Sequence, residues 1–297
     1  MMIGRVTQST VTRQLVDNIQ KLQARISDAQ DALSTGKRLR SPSDDPAGAA
    51  LANQLRGQSQ DLTALQNTVG FGTAVLGAQD DALSQADALL TRAREIASQQ
   101  SSGLGDPQSR QAAASEVSEL ERSLIALGNT QVEGRYVFGG LGSAAPPFTG
   151  LDDVGFDPLN PYTGPSTAFV ARTSSQGTTR LTTPGDQVFG SSIAALDGLR
   201  QTLTAGNVPT ASIDALTQAA ADLSTEQTSV GGRASQLSDR ATEISSGLAQ
   251  VEARLGSVEG ADYATTITQL TQLQTALQAT LASSQTLQTS ILDYLKL

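Results

Sequence analysis

The strongest constraint on this chain is a hydrophobic repeat in steps of four and three residues, held almost without a slip over both halves. A first segment reads Leu15, Ile19, Leu22, Ile26, Ala29, Leu33. A second runs Leu51, Leu55, Gln58, Leu62, Leu65, Val69, Gly72, Leu76, Gln79, Leu83, Ala86, Leu90, Ala93, Ala97. A third runs from Ile213 and Leu216 through Leu237 and Ile244 to Leu255 and Val258. A fourth, from Tyr263 to Leu295, carries Ile267, Leu270, Leu273, Leu277, Leu281, Leu287 and Ile291. A 3.5-residue period places such positions on one face of a helix that packs against another helix. The second and third segments have nearly equal length, about 70 Å each as single helices, so they can pair end to end. Gly70, Gly72 and Gly77 predict a bend or loosening within the second, not a break. Two shorter helices are expected near Pro107–Thr130 and Ser191–Thr204. The fold class is therefore mainly α: an elongated antiparallel helical bundle or coiled coil built from both chain ends.

The central part obeys a different rule. Seven of the ten aromatic residues fall between Tyr136 and Phe189, and six of the ten prolines between Pro146 and Pro184. The runs "GRYVFGG", "TAFVAR" and "TRLTT" are β-prone and separated by Gly, Pro and Asp. This reads as a small, loop-heavy, β-rich insert whose aromatics form a mini-core of their own. The resulting division is residues 1–40 and 260–297 as terminal assembly helices, 41–131 and 191–259 as a helical rod, and 132–190 as an exposed insert.

Function classes can be excluded by what the chain lacks. It has no Cys, so no disulfide, thiolate nucleophile or Cys-based zinc site. It has no His, the commonest general base and metal ligand. Acids outnumber bases 29 to 20, a net charge of −9, which argues against nucleic acid. No apolar run reaches the length of a membrane span. The start, "MMIGRVTQST", lacks an apolar signal-peptide core, so the expectation is a cytoplasmic chain or one exported by a route that reads no such signal. "STGKRL" is not a phosphate loop, because Asp31 replaces the first Gly and Arg38 the hydroxyl residue. The adjacent acids of "SPSDDPAG" could hold a metal, form an acid/base pair or start a helix. Asp45 followed by Pro46, like Asp106 followed by Pro107, reads as an N-cap with Pro in the first turn, and Asp44 adds charge beside the helix dipole. No catalytic, cofactor-binding or metal-ligating residue is predicted.

Leu15, Ile19, Leu22, Ile26 and Leu33 form one apolar stripe on an otherwise polar helix; Ile267, Leu270, Leu277, Leu281 and Ile291 form the other. Such stripes are either core or a partner-binding surface. Their place at the two ends of the chain favours partner binding, since a lone helix cannot bury its own stripe.

Specific stretches resemble a known family. "LSTGKRLRSPSDDPAGAALANQL" (Leu33–Leu55) is similar to the N-terminal motif of flagellins and hook–filament junction proteins, and "LLTRAREIASQQSSG" (Leu89–Gly103) to their next helix. "GNTQVEGRYVFGG" with the following "PPF" (Gly128–Phe148) resembles the junction branch more specifically. So does the C-terminal stretch beginning "DYATTITQL" and ending "ILDYL" (Asp262–Leu295). "RASQL" (Arg233–Leu237) stands where flagellins usually carry a "QNRL"-like stretch, and "VEGADYA" is a looser match. The insert resembles nothing nameable. The resemblance implies a non-enzymatic structural protein, exported unfolded through the flagellar type III apparatus and sited in the extracellular flagellum. It implies chain ends that pair into an inner α-helical layer, with ordering deferred until neighbours supply contacts. Implied partners are other axial subunits, namely a hook-side junction protein and flagellin, together with self-association in an assembled ring and an export chaperone on the C-terminal helix. Neither nucleic acid nor membrane is implied. Competing readings are a short flagellin forming the filament, a secreted enzyme with its site in the insert, and a cytoplasmic coiled-coil scaffold.

Overall fold

The computed structural model describes all residues except 1–2, 40, 44, 102–105, 143, 152–156, 158–159, 175–176, 207 and 295–297, together with the side chains of 3–9, 11–12 and 286–294. Six helices are described: α1 (Ile3–Thr35), α2 (Pro46–Ser101), α3 (Pro107–Gly128), α4 (Gly185–Ala205), α5 (Thr210–Glu259) and α6 (Tyr263–Tyr294). Between α3 and α4 lie four short strands, β1 (Gln131–Val132), β2 (Arg135–Tyr136), β3 (Val170–Arg172) and β4 (Thr178–Arg180). The chain divides into two compact units, Met1–Gln60 with Ala249–Leu297, and Asp61–Leu248.

In the second unit the heptad positions form the core. From Leu65 to Ala97 every seam residue of α2 is buried, including Gly72 and Gln79. α2 is unbroken over 56 residues, so the three glycines do not end it. A second stripe, Val75, Ala82 and Ile96, is buried as well. A seam that serves one partner is narrow; the added stripe widens the apolar face for further neighbours. α5 answers with buried Leu216, Ala220, Leu223, Val230, Leu237 and Ile244. The pairing is antiparallel. Leu62 lies against Gly247, Leu237 against Gly72, and Gln227 Nε2 donates to Asp80 Oδ1 at 3.1 Å. Gly72 permits the close approach, since a Cβ there would stand 2.8 Å from both Leu181 and Leu237.

α3 packs on α4. α3 starts as its sequence dictates: Asp106 accepts the Ser109 N–H at 2.6 Å and Pro107 occupies the first turn. α4 begins at Gly185, six residues before the sequence suggested, and ends at a left-handed Gly206.

Each of the two sheets is an antiparallel hairpin, β1 with β2 and β3 with β4. The first turns on Glu133 and Gly134, both at positive φ (51° and 75°), the type I′ geometry that matches strand twist. The aromatics do pack on one another. Phe138 meets Phe189 edge-on at 4.8 Å, and Phe148 meets Tyr162 at 5.3 Å and Phe189 at 6.0 Å. Yet Val137, Phe138, Phe148 and Leu181 belong to one continuous core with α2, α3, α4 and α5, not to a separate mini-core. Two amides explain how irregular backbone is tolerated there. Asn129 clamps Phe148, donating to its carbonyl and accepting its N–H at 3.0 Å each. Gln79 Nε2 reaches out of the α2 seam to the carbonyls of Val137 (3.0 Å) and Leu181 (3.1 Å). Buried carbonyls outside a ladder need such donors.

Candidate assembly surface

The first unit contains both chain ends, and its geometry is set where α1 stops. α1 ends at Thr35, and Gly36 follows at φ 69°, in the left-handed region that lets glycine end a helix without strain. The Gly36 carbonyl accepts the Ala261 N–H at 2.9 Å, Lys37 bridges Gly260, and the Arg38 N–H donates to the Glu259 carbonyl at 2.6 Å. The two termini are thereby tied just where α1 ends and α6 begins.

Charge reinforces the tie. The Glu259 side chain is 6% exposed and takes two cations, Arg56 at 2.5 Å and Lys37 at 3.3 Å. Arg38 reaches Asp45 at 3.3 Å and the Val258 carbonyl at 3.2 Å. Asp45 also accepts the Gly48 N–H at 2.9 Å, as an N-cap residue does at the start of α2. That backbone hydrogen bond, and then the Arg38 guanidinium, hold its carboxyl below the usual aspartate range. No cluster of three or more metal-ligating side chains occurs among the described residues. Asp262 plays the same part for α6. It accepts from the Thr265 hydroxyl at 2.7 Å and from the N–H groups of Ala264 and Thr265, which lower its titration in turn. The sequence signal for this cap is an Asp ahead of the periodic run with Thr three residues on, which lies at the loosely matching "VEGADYA" stretch. Glu259 carries no comparable sequence signal, because a lone Glu at the end of a long helix has the pattern of a solvated residue.

α1 and α6 pack against each other, antiparallel from this junction. Ala29 is buried, while Leu15, Ile19, Leu22, Ile26 and Leu33 are half-buried. The stripes are therefore partly buried within the chain, each covering part of the other. On α6 the five residues assigned to one stripe divide. Leu270 and Leu277 are half-buried in a seam that continues through Thr266, Leu273, Thr280 and Ser284. Ile267 and Leu281 fall one residue beyond that seam and stand 53% and 44% exposed. Ile291 lies within α6, but its side chain is outside the described residues. A groove of about 760 Å³ runs between the two helices, lined by Leu22, Ala29, Leu273 and Ala276 together with Arg25 and Gln269. Two helices cannot enclose each other's apolar faces, so groove, Ile267, Leu281 and Val16 remain available.

The N-terminal helical region of bacterial flagellin matches residues 6–143, and the flagellin C-terminal helical region matches residues 213–295. Flagellar hook-associated protein 3 of Escherichia coli K12 is 31% identical over 123 residues, 40% of this chain and 38% of that protein. Polar flagellin C of Vibrio parahaemolyticus is 30% identical over 119 residues, 39% of this chain and 31% of that protein. The chain thus spans under half the length of these curated relatives. The solved flagellar junction protein FlgL of Legionella pneumophila has a similar fold, with a TM-score of 0.53 at 14% identity over 70% of this chain and 99% of that one.

Proposed function

This chain belongs to the flagellin family as a structural protein of the extracellular flagellar axis, and on that premise we propose that it is the adaptor joining the flagellar hook to the filament. The observation that carries this reading is the extent of the fold likeness: the junction protein of L. pneumophila is matched over 99% of its length. The half-covered faces of α1 and α6 support it, since a subunit that leaves apolar surface on both chain ends is built to be completed by neighbours. In this reading residues 1–40 and 260–297 are the assembly helices, 41–131 and 191–259 the rod, and 132–190 the solvent-facing insert. The partners are a hook-side junction protein, flagellin and further copies of this chain in a ring, with an export chaperone on α6 before type III secretion. A short flagellin forming the filament itself is the second reading, favoured by the comparable match to polar flagellin C. Immunogold labelling of sheared flagella separates them. The adaptor gives label confined to one narrow zone next to the hook, whereas label along the filament identifies a flagellin.

A further inference from the structure

α3 carries its own seam, Ala114, Val117, Glu121, Leu124, Gly128, and one member of it is an acid. Glu121 is fully buried, and neither carboxylate oxygen has a hydrogen-bond partner. Asp197, on α4, is buried beside it at 3% exposure. The two acids share one cation, and Asp197 holds it: Arg200 bonds Asp197 Oδ1 directly, and Gln201 donates to Oδ2 at 2.6 Å. Arg200 Nε stands 3.6 Å from Glu121 Oε2, beyond hydrogen-bonding range. The other charged group acting on Glu121 is Arg122 of its own helix, which is engaged with Glu119.

We propose that Glu121 is a proton-operated latch between α3 and α4. Neutral, it is one more core residue on the seam. Ionised, it becomes a buried charge next to a second carboxylate, its one nearby cation, Arg200, standing 3.6 Å away and already bonded to Asp197, and the α3–α4 contact loosens. The proton exchanges with solvent on the side where Arg200 is partly exposed. Burial pushes the Glu121 carboxyl up to about 7, the negative charge of Asp197 pushes the same way, and Arg200 pulls back less. A group whose proton is held more tightly in the folded state stabilises the fold fully below its ordinary range near 4.5. It loses that contribution as pH rises through about 7. The chain contains no His, so no side chain with an ordinary value in this window obscures the effect.

The test compares thermal unfolding of the full chain with that of Glu121→Gln between pH 5 and pH 8. The native chain should lose about 5 °C or more of melting temperature across that range, while the variant, neutral at every pH, stays nearly flat. Hydrogen exchange, corrected for its intrinsic pH dependence, should rise in α3 and α4 of the native chain alone. Should Glu121→Gln fail to fold, carbon-13 carboxyl titration of the native chain still decides the matter. A Glu121 midpoint near 7 supports the latch. A midpoint in the ordinary carboxylate range, or parallel melting profiles for the two chains, overturns it.

Discussion

Asp45 shows what a single carboxylate does when it begins a helix and faces an arginine. Its Gly48 and Arg38 partners both favour the charged form. The stability it lends is therefore present above the ordinary aspartate range and lost as pH falls through its lowered folded value. Asp45→Ala should lower the melting temperature by about 2–4 °C, and Asp45→Asn, which still caps, by less. Calorimetry with Mg²⁺ or Ca²⁺ should show no Asp45-dependent affinity; a tight site that vanishes in Asp45→Ala would refute the capping role. At this scale legibility followed backbone chemistry. An Asp before Pro and a new apolar run is a local signal, readable without the fold. Glu121 is not legible in this way, although its spacing from Val117 and Leu124 puts it on a seam, because a charged residue among Ser, Glu and Arg has the pattern of a solvated face. Only the arrival of α4, with Asp197 and Arg200, shows that it is buried.

Elements were legible where one period ran far enough to outvote its exceptions. α2 and α5 follow the 4/3 spacing through glycines because packing, rather than propensity, decides a helix with a continuous partner. The pairing register was harder to read, since heptads alone allow several, and it is fixed by details such as Gly72 opposite Leu237. Spin labels at Leu62 and Leu248 should give a narrow distribution at the short end of the measurable range, as expected for neighbouring helices 8–10 Å apart. Labels far apart at this and neighbouring registers would sink the antiparallel pairing. The insert is legible as short strands but not as part of the main core, because what ties it to α2 is contact with residues distant in sequence: Leu181 packs at Gly72 and Gln79 bonds two backbone carbonyls, and no local pattern names either partner. Gln79 is the clearest link. Gln79→Leu keeps the volume and strands two buried carbonyls, which should cost about 2 kcal/mol in denaturant unfolding. Exchange should quicken in the residues around Val137 and Leu181. A neutral effect would mean that those carbonyls find other donors.

For the molecule as a whole, the decisive property is that its chain ends meet each other yet stay incompletely covered. Leu277 is half-buried against α1, and Leu281 is 44% exposed one residue off the same seam. Each Leu fully removed from water is worth about 1.5–3 kcal/mol, and the pair within one chain realises only part of that. On the proposed assembly role, the remainder would be released when a neighbouring subunit closes over α6. Replacing both with Asp inverts the sign, because an assembled neighbour would then have to bury two unpaired charges. The Leu277→Asp/Leu281→Asp double variant should fail to enter flagella. Its Asp61–Leu248 unit, which contains neither residue, should keep its own unfolding transition. Both halves are measurable: motility and immunoblots of sheared flagella for the first, calorimetry of the purified chain for the second. A variant that still assembles motile filaments would show that α6 is not an assembly surface. One that loses the Asp61–Leu248 transition would show that these leucines act as ordinary core, and the case for completion by neighbours would fall with it.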